Sequence, residues 1–215
     1  MTKEYIVVHP CNIFSQGNPT QPKVDERFDI VDMYKLENTD LNQYKCMIIL
    51  NFVDQDYLYE QREVIEKFLD DKKIVAFFGN LVTDFLPGQK PFIAKEIKWH
   101  GDYNLTIVKE HSIFEGVKED DMTINKGVKG FFARGHHPAP EGAEILLRLG
   151  EDEPVTFIDR NSSKGTIFMH SGNCLFDLGG MRQDKTKTTH VLPQRLIEWA
   201  EAEYARLQEG ETQNA

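Results

Sequence analysis

Residues 72–84, KKIVAFFGNLVTD, decide how the rest of the chain is interpreted. Five apolar residues, Ile74–Phe78, run without a break and stop at the turn-forming pair Gly79 and Asn80. A run this short, bounded by a turn signal, is typical of a strand that is buried on both faces of a parallel sheet. In open α/β sheets, ligands bind beyond the carboxyl ends of such strands. The sequence therefore predicts a binding site at Gly79 and Asn80.

A helix and another strand are predicted just before this stretch. Residues 54–72 carry an apolar face and a charged face at helical spacing, and Asp54 and Asp56 stand where negative charge stabilises a helix N-terminus. Residues 46–52, CMIILNF, form another short apolar run that indicates a buried strand. Strand, helix and strand make a βαβ unit with a right-handed crossover. This pattern favours an α/β fold with a parallel sheet.

The remaining elements are predicted from shorter patterns. Residues 89–104 favour neither a helix nor a strand, and no linker divides the chain, so we expect one domain at 1–208 and a disordered tail at 209–215. The other predicted elements are strands at 5–9, 28–34, 105–109, 128–133, 145–149, 155–159 and 166–170, a loop at 13–24, a helical turn at 39–44 and a closing helix at 192–207.

The composition argues against several classes of protein. The 215 residues include 35 acidic and 25 basic side chains, a formal net charge of −10, and such a surface repels nucleic-acid backbones. Cys11, Cys46 and Cys174 are widely spaced and match neither a disulfide framework nor a zinc motif. The first apolar run is too short for a signal peptide or a membrane span. We expect a reduced cytoplasmic protein that binds no nucleic acid, membrane, metal or cofactor, and homo-oligomerisation stays open.

Four segments also occur in an order that known proteins share. They are the βαβ unit that ends at Gly79, HSIFEGV at 111–117, GAEILLRL at 142–149 and KGTIFMHSGN at 164–173. Together they resemble the class I glutamine amidotransferase-like superfamily, and its ThuA-like branch in particular. The resemblance spans roughly residues 45–175, and its motifs are diagnostic of fold more than of activity. It implies a flavodoxin-like three-layer sandwich with a mostly parallel central sheet, in which a turn after the central strand opens a helix.

The chain departs from that family at the catalytic positions. In active members, the strand that corresponds to Ile74–Phe78 ends in a Gly-x-Cys-x-Gly elbow, whose cysteine is activated by the histidine of a His-x-Glu segment. Here the turn reads GNL at 79–81, and the late strand ends in HSG at 170–172. Neither the cysteine nor the glutamate is present at these positions. The resemblance therefore implies an elbow without its nucleophile, and glutamine hydrolysis by the thiol route is not expected.

Polar residues follow several of the predicted strands and are candidates for a ligand cleft. Because parallel strands end at one edge of the sheet, these side chains are expected to converge. Asn and Gly after a strand are also ordinary turn formers, so both interpretations stay open. The candidate ligand-binding residues are His9, Asn51, Gly79, Asn80, Arg134, His136, His170 and Asn173.

Two functions follow from these candidates. We expect a non-catalytic or altered-function amidotransferase-like domain that binds a small polar ligand or a protein partner at the strand-end cleft. The alternative is a hydrolase of unconventional mechanism that acts on a sugar-like or amide substrate, with His170 or His136 as base, Arg134 as anion clamp and Asn80 as oxyanion donor. That alternative requires these side chains to reach one cavity. A third hypothesis is an interaction module that meets its partner through the acidic surface or the closing helix.

Overall fold

The computed structural model describes residues 3–12, 26–125, 127–130, 132–176 and 184–212. Its helices are α1 (Gln55–Glu60), α2 (Arg62–Asp70), α3 (Glu119–Thr123) and α4 (Leu192–Thr212), with short 3-10 helices at Met33–Asn38, His100–Tyr103 and Thr188–Val191. Its strands are β1 (Tyr5–His9), β2 (Phe28–Asp32), β3 (Cys46–Ile49), β4 (Ile74–Phe78), β5 (Ile93–Ala94), β6 (Leu105–Ile107), β7 (Ile124–Asn125), β8 (Val128–Lys129), β9 (Gly135–His136), β10 (Glu144–Leu149), β11 (Glu153–Asp159) and β12 (Thr166–His170).

One eight-stranded sheet organises these elements, in the order β2-β1-β3-β4-β12-β11-β10-β6. The first five strands in that order are parallel to one another, and antiparallel pairing begins at β11. This parallel part has the strand order of flavodoxin-like folds, and β4 lies at its centre. The predicted α/β class and mostly parallel sheet are confirmed.

Each face of the sheet is covered by helices, which makes three layers. Because successive strand residues point to opposite faces, Ile74, Ala76 and Phe78 of β4 join one core cluster. Val75 and Phe77 join the other. Helix α4 covers the first cluster, while α1 and α2 cover the second. All five residues of β4 are fully buried, as the unbroken apolar run predicts.

The structure changes the bounds of several predicted elements. The helix at 54–72 is interrupted at Gln61, whose ψ of 11° is not helical, and continues as a second helix. The helical turn predicted at 39–44 is wrong, because the helix begins earlier, where Asp32 caps it by accepting from the Tyr34 N–H. The strand predicted at 128–133 has only two residues, since Gly130 takes a φ of +84°.

The two ends of the chain also differ from expectation. Helix α4 continues to Thr212, so residues 209–212 of the expected disordered tail are helical, and 213–215 lie outside the described residues. The loop predicted at 13–24 also lies outside them. Residues 89–104, whose sequence favours neither a helix nor a strand, contain β5 and a 3-10 helix. None of the described helices is both long and apolar enough to span a bilayer.

Candidate functional site

A cleft of about 470 Å³ opens where β3, β4 and β12 end. This is the edge of a parallel sheet at which ligands bind in open α/β folds. Its walls are formed by the residues after β3 (Asn51, Phe52), after β4 (Gly79, Asn80) and after β12 (Ser171, Gly172, Asn173), together with Gln55, Gly130, Phe132, Ala133 and Arg134. We call it the strand-end cleft.

Gly79 fixes the distance between two walls of the cleft. Its φ is +120°, a conformation that side-chain-bearing residues rarely adopt. A Cβ atom at this position would lie 2.8 Å from the Asn51 Cβ and 3.0 Å from the Asn51 Cα. The Gly79 N–H also donates to the His170 carbonyl at 3.0 Å. Glycine is therefore required here, because it lets the ends of β3, β4 and β12 meet closely.

The segment after β4 contains no nucleophile-elbow helix. Residues 79–92 are all described, and they form turns and bends until β5 begins. Gln55, the first residue of α1, holds this segment in place: its Nε2 donates to the Asn80 carbonyl at 2.7 Å, and its Oε1 accepts from the Val82 N–H at 2.7 Å. The Thr83 hydroxyl donates to the Gln55 carbonyl at 3.0 Å. The resemblance implies a turn that opens a helix after β4, and this expectation is wrong. The segment is instead a loop that is held by hydrogen bonds to Gln55.

Three carboxamides converge on the cleft from three strand ends. The Asn51 Nδ2 donates to the Asn173 Oδ1 at 3.1 Å, and the exposed Asn80 lines the same cleft. The Asn51 Oδ1 is buried and accepts no hydrogen bond from the described residues. A carboxamide offers two donors and one acceptor oxygen, so this set can bind hydroxyl, amide or carboxylate groups.

Arg134 supplies the positive charge of the cleft. Its Nε donates to the Gly130 carbonyl at 3.0 Å, which orients the guanidinium, and the side chain is exposed. Within the part of the chain that the structure describes, no carboxylate forms an ion pair with it. A guanidinium without a carboxylate partner is suited to bidentate binding of an anion.

Phe52 forms an exposed rim of the cleft. Its side chain is 62% exposed, and its backbone φ is +64°, a left-handed value that is unusual for a bulky residue. The Phe52 carbonyl accepts from Asn12 Nδ2 at 3.3 Å. Backbone strain of this kind is concentrated at functional sites.

Three of the candidate residues are not among those lining the cleft. The His170 ring is fully buried, pairs through Nδ1 with the Thr156 hydroxyl at 2.8 Å and packs against Phe132 with ring centroids 5.0 Å apart. His9 is buried, and its Nδ1 accepts from the Cys11 N–H at 2.8 Å. His136 lies on the short strand β9, where burial lowers its pKa. The structure therefore brings together Asn51, Gly79, Asn80, Arg134 and Asn173.

His137 lies behind the cleft and contacts the loop that follows β4. Its Nε2 accepts the Leu81 N–H at 3.0 Å, and its ring packs between Phe77 and Phe92. Burial, with a smaller contribution from the neighbouring His136, lowers the pKa of His137 to about 4. At neutral pH the ring is therefore uncharged and can accept this bond. The alternation of adjacent residues on a strand is the signal that one of the two histidines faces inward.

The residues that line this cleft include no acidic residue and no cysteine. No group of three or more His, Cys, Asp or Glu side chains in the described ranges is arranged to hold a metal ion. Cys46 and Cys174 are buried, Cys11 is exposed, and none of the three is among the lining residues. Burial raises the pKa of the Cys46 thiol and, to a smaller extent, that of Cys11.

Comparisons with known proteins bear on the fold. No family model and no curated protein matches this chain. A glutamine amidotransferase from Thermotoga maritima superimposes with a TM-score of 0.51 at 16% identity, over 97% of this chain and 94% of that one. A cytoplasmic protein from Salmonella typhimurium LT2 superimposes with a TM-score of 0.52 at 10% identity, over 93% and 98%. At these identities the likeness shows the fold alone, which is glutamine amidotransferase-like.

Proposed function

We propose that this chain is a non-catalytic or altered-function amidotransferase-like domain that binds a small polar ligand in the strand-end cleft. The observation that carries the proposal is the convergence of Asn51, Asn80, Asn173 and Arg134 on one cavity of about 470 Å³. Small-molecule sites span roughly 300–1,000 Å³ and hold a few convergent polar groups. The carboxamides suit hydroxyl or amide groups of the ligand, and the guanidinium suits an anionic group.

Thiol-dependent glutamine hydrolysis has little support in this chain. The thiolate is the reactive form of cysteine, and burial raises the pKa of Cys46 and Cys11 rather than lowering it. The position after Gly79 holds Asn80, and the loop that follows is pinned by Gln55. The motif at 111–117 supports a place in the ThuA-like branch of the superfamily, which remains part of this proposal.

The hydrolase alternative is less favoured by the geometry. It needs His170 or His136 as a base within reach of the substrate, together with Arg134 as anion clamp. Arg134 lines the cleft, but neither histidine is among its lining residues, and His170 already pairs with Thr156. Catalytic groups must lie within hydrogen-bond distance of the reacting atom, so binding without catalysis fits these positions better.

A thermal-shift screen against sugars, nucleotides and amino acids tests the proposal. A ligand at 100 times its Kd stabilises a protein by about 2.7 kcal/mol, which corresponds to a Tm increase of roughly 5–10 °C at this chain length. We expect at least one small polar compound to raise the Tm of the wild type. The same compound should raise the Tm of Arg134→Met and Asn173→Ala by less than half as much.

A matched control separates the cleft from general surface charge. Lys35 is exposed and does not line the cleft, so Lys35→Met should respond to the ligand like the wild type. A ligand response that is equal in Arg134→Met, Asn173→Ala and Lys35→Met would contradict the proposal. So would glutaminase turnover that disappears when Cys11 or Cys174 is alkylated.

A further inference from the structure

A second cavity of about 570 Å³ adjoins the strand-end cleft, and Arg134 lines both. We call it the basic pocket. The residues that give it its character are Lys98, Trp99, His100, Tyr103, Lys129 and Arg134. They come from the loop and 3-10 helix before β6 and from the segment after β7.

The charge of the basic pocket is opposite to that of the whole protein. The chain has a net charge of −10, yet Lys98, Lys129 and Arg134 line this pocket and no carboxylate does. The two nearest acidic groups in the sequence both have partners in this loop, and one of them is paired with Lys98. Asp102 accepts from the backbone N–H groups of Lys98 and Trp99, and Glu96 forms an exposed ion pair with Lys98. Positive groups gathered in a concave surface attract anions even when the protein is acidic overall.

Two of the three cations are available to a ligand. The Lys129 ammonium donates to the neutral Asn104 Oδ1 at 2.8 Å, and no carboxylate of the described residues pairs with it. Arg134 likewise has no carboxylate partner there. An anion bound between them would therefore not have to displace an existing ion pair.

The same pocket presents an aromatic surface. Trp99 is 67% exposed, and its indole lies over Gly101, where a Cβ atom would come within 2.2 Å of the ring. Val128 beside it is 50% exposed. An exposed tryptophan rimmed by cations is suited to stacking a planar ring that also carries negative charge.

Gly130 fixes the aromatic and cationic walls relative to each other. It has a φ of +84°, and a Cβ atom there would lie 2.6 Å from the Tyr103 ring and 3.3 Å from the Arg134 Nε. Its carbonyl accepts the Arg134 Nε–H. Both side chains therefore pack directly on the glycine backbone, and walls held in place in this way lose less freedom when a ligand binds.

We propose that the basic pocket is a second binding site, whose ligand is an organic anion with a phosphate or carboxylate group attached to a planar ring. The anionic group lies between Lys129 and Arg134, and the ring stacks on Trp99. The site goes beyond the proposed function and shares only Arg134 with the strand-end cleft, so either site can bind a ligand when the other does not.

Tryptophan fluorescence tests this proposal directly. The sequence has two tryptophans, and Trp199 is buried in the core, so quenching by a ligand reports Trp99. The probes are phenyl phosphate, whose separate halves are inorganic phosphate and phenol, and benzoate, whose separate halves are formate and benzene. Because ring and charge are held together, phenyl phosphate or benzoate should bind at least about tenfold more tightly than either half. The tighter of the two identifies the anionic group of the natural ligand.

Variants outside the strand-end cleft distinguish failure of this proposal from failure of the first. Lys129→Met should weaken binding of the tighter probe by roughly tenfold through loss of one charge-assisted hydrogen bond, and Lys35→Met should leave it unchanged. The proposal would be overturned if a separate half bound with the same affinity as the intact probe. It would also be overturned if Lys129→Met bound the probe with the affinity of the wild type. A dimer in sedimentation that dissociates on Trp99→Ser would also overturn it, since the aromatic surface would then be a contact between copies.

Discussion

Replacement of Gly79 by alanine tests the packing that forms the strand-end cleft. The new Cβ atom would come within 2.8 Å of the Asn51 Cβ and 3.0 Å of the Asn51 Cα, and the second of these is a backbone atom that cannot rotate away. The φ of +120° adds strain that glycine avoids. Backbone strain costs roughly 1–3 kcal/mol, and the overlap costs a similar amount. Alanine also lowers the conformational entropy of the unfolded chain, and this effect offsets roughly 0.4–1 kcal/mol of the loss.

The expected net effect is a loss of about 2–4 kcal/mol in the free energy of unfolding, or roughly 5–15 °C in Tm. Urea titration followed by circular dichroism measures it. Gly116→Ala is a matched control, because Gly116 also has a positive φ, +67°, but a Cβ atom there meets nothing within 4 Å. That control should lose at most about 1 kcal/mol, since only the left-handed conformation is penalised. Equal losses in the two variants would refute the close approach of Gly79 to Asn51.

Three further predictions concern groups around the cleft. Folding lowers the pKa of His137 to about 4, so below about pH 6.5 the unfolded chain binds a proton that the folded chain does not. The free energy of unfolding should therefore fall by about 2 kcal/mol through this residue when the pH is lowered from 7 to 5. His137→Gln should reduce that pH dependence in urea titrations, and an unchanged slope would contradict a neutral buried ring. Gln55→Ala should lower the hydrogen-exchange protection of the Val82 amide at least roughly tenfold, because its acceptor is lost, and unchanged protection would contradict the contact between Gln55 and this loop. Iodoacetamide should modify exposed Cys11 in the folded protein and spare the buried Cys46, and a peptide map showing both modified equally would contradict the burial.

The central sheet could be predicted because its strands are short and buried on both faces. Ile74–Phe78 and Tyr5–His9 are apolar without interruption, and such runs leave little choice of structure once turn residues bound them. Elements that depend on a single polar contact were placed wrongly. The 3-10 helix begins at Met33 because Asp32 caps it, and no apolar periodicity marks that position.

The candidate site was predicted only where backbone position decides it. Asn51, Asn80 and Asn173 follow strands whose ends must meet, so their convergence follows from the fold. The direction of a side chain at a strand end is not fixed in this way, and His170 turns out to face the core beside Phe132. The Gln55 clamp and the basic pocket join segments that are distant in sequence and carry no periodic pattern, so sequence alone gives no signal for them.

A calorimetric titration of Asn80→Ala tests the central claim most directly. Asn80 is exposed and lines the cleft, and its contact with Gln55 is made by the backbone carbonyl, so truncation of the side chain leaves the loop held. With the tightest compound from the thermal-shift screen, the affinity should fall roughly tenfold relative to the wild type through loss of one hydrogen-bonding carboxamide. Full affinity in Asn80→Ala would contradict binding in the strand-end cleft.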